Sequence, residues 1–207
     1  MPTLRNARMR CAYNSKMPRV LQITLIVATL VLSWLAMMIF HEAGHVLHGW
    51  LSGGSVSRVV LGPLSFSRTE LATNPHPLFV AWGGAVWGVV IPLTLYRAVR
   101  FCKMRSAFVF RFVAGFCLIA NGAYLGVGSF VLVADAGDLM RGGAPHWTLL
   151  LYGLVTIPFG LVLWQRQGRH FGLGTARGRV NPRIAVTIAS IALLLVAFET
   201  VYTRLVR

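Results

Sequence analysis

Apolar residues run along this chain in long blocks instead of alternating with polar ones. Val20 to Phe40 carries no charge, and as a helix it is long enough to cross roughly 30 Å of hydrocarbon. Four further blocks follow, Leu78 to Tyr96, Phe112 to Ala134, Trp147 to Trp164 and Ile184 to Tyr202, separated by polar, Gly-rich or Arg-rich segments. The pattern predicts an all-α membrane protein of about five transmembrane helices. After the first block, Gly53 and Gly54 end the helix, and Val56, Val59, Val60 and Leu61 favour extended structure until Gly62-Pro63 breaks it. A short strand-like or re-entrant segment is expected there, either offering an edge to an extended peptide or only packing the bundle. Asn74-Pro75-His76-Pro77 reads as a rigid turn that positions the second span, and Gly83, Gly84 and Gly88 as points of close helix packing.

Composition agrees with the block pattern. Hydrophobic residues make up 56% of the 207 and charged residues only 12%, half of the roughly 25% usual in soluble domains. The chain reads as a single integral membrane domain, with a basic tail at 1–19, a core at 20–165, a basic loop at 166–183 and a final span and tail at 184–207. The first block is too long for the apolar region of a signal peptide, and no small-residue cleavage site follows it.

The net charge of +15 suggests nucleic acid until the cations are placed. They sort by loop. Arg5, Arg8, Arg10, Lys16 and Arg19 precede the first span; Arg97, Arg100, Lys103 and Arg105 lie between the second and third; Arg166, Arg169, Arg177, Arg179 and Arg183 lie between the fourth and fifth. The opposite side holds only Arg58, Arg68, Arg141, Arg204 and Arg207. Cytoplasmic loops carry such an excess, so the N-terminus is expected in the cytoplasm, with anionic lipid headgroups and not nucleic acid as the partners of this charge. Arg111, at the start of the third span, is expected to snorkel to those headgroups. By the same topology Cys11 and Cys102 are cytoplasmic and Cys117 lies in the bilayer, which implies no disulfide framework.

The chemistry begins where the first block ends. Residues 41–45 read HEAGH, placing His41 and His45 one helical turn apart on the same side, with Glu42 next to the first. Two such imidazoles can share one zinc ion, and the glutamate can take a proton from a water that the metal acidifies. A zinc hydrolase needs a third protein ligand. Asp135 and Asp138 are the leading candidates, because a third span parallel to the first brings them to the level of His41. At i and i+3 they can share a helical face, or Asp135 can cap a helix starting at Ala136. His48 is the rival, on the same stripe as His41 and His45; its other reading is an interfacial hydrogen bond. His76 is a further, weaker candidate. Asn121 can donate from its amide to an oxyanion, or hydrogen-bond between helices. Glu199 reads as an outer-interface residue or a partner for Arg204.

From Phe40 to roughly Pro145 the chain resembles the site-2 protease family of intramembrane zinc metalloproteases, particularly its compact bacterial relatives without a PDZ domain. HEAGH in an apolar helix carries the resemblance, with GGSVSRVVLGPLSF after it, AWGGAVWG opening the second block and the polar stretch from Asn121 to the two aspartates. That resemblance implies Zn2+ held by His41, His45 and Asp135 or Asp138, with Glu42 as the base. It also implies hydrolysis of peptide bonds in membrane-protein or peptide substrates, within or beside the bacterial inner membrane. No proline follows Asn121, and Asp135 is fourteen residues on, farther than the family's Asn-to-Asp segment. From the residues alone, a non-catalytic membrane protein that binds or moves a metal ion, or an inactive scaffold, is the alternative.

Overall fold

The computed structural model describes residues 3–206, with side chains from residue 18; the side chains of Arg5, Arg8, Arg10, Cys11, Lys16 and Arg207 lie outside the described residues. The elements follow in the order α1 (Thr3–Leu51), β1 (Ser55–Val60), β2 (Arg68–Thr73), α2 (Pro77–Phe101), α3 (Ala107–Val131), α4 (Ala134–Arg141), α5 (His146–Trp164) and α6 (Pro182–Val206). Two short 3-10 turns, Gly168–Phe171 and Gly174–Ala176, lie between the last two helices. Among the described residues, five helices are long and apolar enough to cross a membrane: Pro18–Leu51 within α1, and then α2, α3, α5 and α6. The protein is an all-α membrane protein with one small antiparallel hairpin.

Helix α1 is central and packs against α2, α3 and α6, while α5 lies on the far side of α3. Lipid tails are as apolar as leucine, so burial alone gives these helices little reason to associate, and close packing and polar contacts must do it. At the α1–α2 crossing Gly44 and Gly83 face each other. A Cβ on Gly83 would come 2.5 Å from the Gly44 carbonyl oxygen, so a larger residue would force the helices apart. A first apolar cluster joins Leu25 and Ala28 of α1, Val109 and Val113 of α3, and Ala185 and Ile188 of α6. A second joins Ala81 and Ala85 of α2, Leu125 of α3, Ala136 and Leu139 of α4, and Leu149 of α5. The second cluster seats the short helix α4 in the bundle, which fixes the place of Asp135.

The third apolar block does not continue to Ala134 as expected. Helix α3 ends at Val131, and Leu132 and Ala134 adopt left-handed backbone (φ 56° and 46°), which turns the chain before α4 starts. Helix α1 instead runs past Phe40 through HEAGH and stops only before Gly53, at φ 75°. The segment after it is a hairpin, β1 with β2, in which Val59 faces Thr69 and Arg58 faces Glu70. Its turn folds back along α1: the Trp34 indole N–H donates to the Pro63 carbonyl at 3.2 Å, and Phe66 meets the Trp34 ring edge-on. Trp34 is seven residues before His41, about 10 Å down the helix, so the hairpin is re-entrant relative to α1.

Three further side chains are placed by the bundle. The Arg111 guanidinium donates to the Val162 and Gln165 carbonyls at the end of α5, closing helix-end acceptors. Glu199 is buried in the bundle, with neither carboxylate oxygen partnered among the described residues, so it is not a partner for Arg204. His76 is exposed at the start of α2, away from other candidate ligands. The described thiols, Cys102 and Cys117, are free.

Candidate metal centre

His41 and His45 project from α1 toward α4, and Asp135 meets them. One ligand atom from each lies within 4.8 Å of the other two. The Nε2 atoms are 3.1 Å apart, and Asp135 Oδ2 is 2.7 Å from the Nε2 of His41 and 3.2 Å from that of His45. Ligand atoms around a tetrahedral zinc with bonds of about 2.0–2.2 Å stand about 3.3 Å apart, close to these separations.

The hydrogen bonds around the cluster show why it could hold a cation. The Nδ1 of His45 lies 2.8 Å from the Val80 carbonyl, which only accepts, so Nδ1 carries the hydrogen. Asn121 fixes His41 in the same way. Its amide nitrogen donates to the Cys117 carbonyl at 2.9 Å and the Gly88 carbonyl at 3.4 Å, so Oδ1 is the atom facing His41 Nδ1, 2.8 Å away, and accepts from it. As neutral rings, both imidazoles therefore turn a bare Nε2 toward a carboxylate. Three acceptors this close repel unless a proton or a metal ion sits among them. One proton satisfies part of the set, whereas a divalent cation satisfies all of it.

Asn121 is thus an orienting residue for His41 and not an oxyanion donor, because both of its amide hydrogens are committed to carbonyls. Gly84 forms the back wall. A Cβ there would lie against both Nε2 atoms, 2.5 Å from that of His41, in the space a metal would take. The histidines are buried, whereas the Asp135 side chain keeps 19% of its surface exposed, so the cluster opens on the α4 side. Tyr124, three residues after Asn121 on α3, stands edge-on to His41, and its hydroxyl oxygen accepts from the Asp135 backbone N–H at 3.5 Å.

The remaining candidates lie elsewhere. Asp138 is not brought to the cluster: its carboxylate is exposed and accepts from Arg141 at 2.7 Å. Asp135 caps nothing, since Val133 holds the cap position without a side-chain bond. His48 donates from Nδ1 to the Phe79 carbonyl at 2.6 Å and stacks on the Phe79 ring, so it is an interfacial residue. Asp135→Ala is expected to lower metal affinity by at least about 100-fold, and Asp138→Ala to leave it unchanged, by competition against a chromophoric zinc chelator. Equal losses in the two variants would remove Asp135 from the ligand set.

Glu42 is buried beside His41. Its two oxygens accept from hydroxyls of the hairpin segment, Ser67 to Oε1 at 2.7 Å and Thr69 to Oε2 at 2.6 Å. Neither hydroxyl was marked by any spacing in the sequence; the only available signal was that Ser67 and Thr69 are two apart, so that in extended chain they share a face. No family model matches the chain, and no curated protein or solved structure is similar to it.

Proposed function

We propose that this chain is an intramembrane zinc metallopeptidase, similar to the site-2 protease family, which cleaves peptide bonds of membrane-embedded or juxtamembrane segments. In this reading it sits in a bacterial inner membrane with its N-terminus in the cytoplasm, as the sorting of its cations favours. The observation that carries the reading is the meeting of His41, His45 and Asp135 around one point, with the buried Glu42 carboxylate on the same turn of α1. A metal carrier needs no carboxylate beside the first ligand, whereas a hydrolase needs a base there.

His41, His45 and Asp135 would hold the ion, with Asn121 and the Val80 carbonyl setting the imidazole tautomers. When bound, the metal supplies Lewis acidity, lowering the pKa of water and polarising a carbonyl. Glu42 takes the proton of the attacking water and passes it to the departing amine. Tyr124 is the donor left for the developing oxyanion, since no described residue accepts its hydroxyl hydrogen. A transmembrane substrate must unwind first, because only extended backbone exposes the scissile carbonyl.

Metal analysis of the purified chain, paired with cleavage of a transmembrane peptide in proteoliposomes, tests this reading. One zinc per chain and a metal-dependent cut are expected. Zinc without turnover would favour a scaffold, and bound metal moved across the vesicle wall a carrier. Tyr124→Phe should lower kcat by about 10- to 100-fold with zinc content unchanged. An unaltered kcat would remove Tyr124 from the chemistry.

A further inference from the structure

The hairpin contributes no ligand to the cluster, yet it holds both oxygens of Glu42. Ser67 and Thr69 stand two residues apart where the chain enters β2, so their side chains point to the same face, toward α1. The alternate residues, Arg68 and Glu70, point the other way. There Glu70 accepts from Arg58 Nε at 3.1 Å and Arg58 NH2 at 2.8 Å, and from Arg68 Nε at 2.9 Å. This outer cluster pins the pairing of Arg58 with Glu70 and therefore that of Val59 with Thr69. A slip of one residue would reverse the faces and turn the Glu70 carboxylate toward Glu42.

The hairpin is also tied to its surroundings at both flanks. The Trp34 indole holds the Pro63 carbonyl from α1, and from α6 the Tyr202 hydroxyl donates to the Val59 carbonyl at 3.0 Å, while Thr203 bonds the Leu61 carbonyl. The two hydroxyls at Glu42 therefore come from a segment with little freedom to shift. Each Glu42 oxygen has a second lone-pair direction left over. With one direction per oxygen occupied by a fixed donor, the side chain loses rotational freedom and the remaining directions are set.

We infer that Ser67 and Thr69 are positioning residues for the Glu42 carboxylate, fixing the base against the metal cluster and making its alignment depend on the register of the hairpin. This rests on the peptidase reading above. The clamp acts through Glu42, so its loss reaches the proton-transfer step and leaves ligand atoms and substrate contacts alone.

The test uses the full-length chain in proteoliposomes, a fluorogenic transmembrane peptide and zinc analysis. Wild type is compared with the double variant Ser67→Ala/Thr69→Val and with the conservative double variant Ser67→Thr/Thr69→Ser, which keeps both hydroxyls. The first is expected to keep one zinc per chain and the wild-type KM while kcat falls by about 10- to 100-fold, the scale of a misplaced catalytic group. The conservative variant should recover most of that loss. An unchanged kcat in the Ala/Val variant overturns the inference, as does a loss accompanied by zinc release or a raised KM, or a conservative variant no better than the Ala/Val one. A wild-type chain that binds zinc but never cuts the peptide overturns the peptidase reading and this inference with it. Wild-type turnover insensitive to both variants overturns the inference alone.

Discussion

Alanine at position 84 should empty the metal centre while leaving the bundle folded. The added methyl would meet the Nε2 atoms of both histidines, at the point where the ligand atoms converge. Relief requires the imidazoles to swing away, but each is anchored through Nδ1, His41 to Asn121 and His45 to the Val80 carbonyl. The methyl therefore competes directly with the ion. Metal affinity is expected to fall by more than the roughly 100-fold that lost orienting partners cost, and peptide cleavage should vanish with it. Overpacking costs about 1–3 kcal/mol, which a five-span bundle should tolerate. Gly126→Ala is the matched control, because its Cβ would find only ordinary contact, 3.5 Å from the Gly153 Cα. Wild-type zinc stoichiometry in Gly84→Ala, measured on folded protein, would place the ion somewhere other than between these histidines.

Glu42→Gln should do the reverse, keeping the metal and losing the reaction. Glutamine has the same shape, and its carbonyl oxygen still accepts from one of the two hairpin hydroxyls. The other hydroxyl can rotate to accept from the new amide, so the packing around α1 survives. What is lost is the lone pair that takes a proton from water. General-base catalysis supplies about 100- to 10,000-fold, and kcat should fall by that order with zinc content unchanged. Undiminished cleavage by this variant would sink the peptidase reading, whatever metal were bound. The two substitutions thus separate holding the ion from using it.

The architecture was legible early because a bilayer imposes its own length on apolar segments. Each of the five expected spans coincides with a helix, differing mainly at the ends. His41, Glu42 and His45 were legible too, since helical geometry alone puts residues four apart on one side. The third ligand was not. The sequence favours Asp135 over Asp138 only slightly, and what separates them is the turn at Leu132 and Ala134, where two residues without glycine's freedom take left-handed backbone. Nothing local announces that turn. Packing of Ala136 and Leu139 into the second apolar cluster sets the phase of α4 and with it which carboxylate faces α1.

Other side chains changed roles for the same reason. Asn121 was open between an oxyanion donor and a hydrogen bond between helices, and the second holds: the carbonyls of Gly88 and Cys117 take its amide hydrogens, leaving its oxygen for His41. Ser67 and Thr69 lie in a polar stretch with no motif, and only the fold-back of the hairpin along α1 brings them to Glu42. Sequence by itself determined a five-span membrane chain and a histidine pair with an adjacent glutamate, because hydrocarbon thickness and helical pitch act on neighbouring residues. Tertiary structure alone decided which aspartate completes the cluster, which ring nitrogens of the histidines face it and what holds Glu42, because each depends on contacts between residues far apart in the chain.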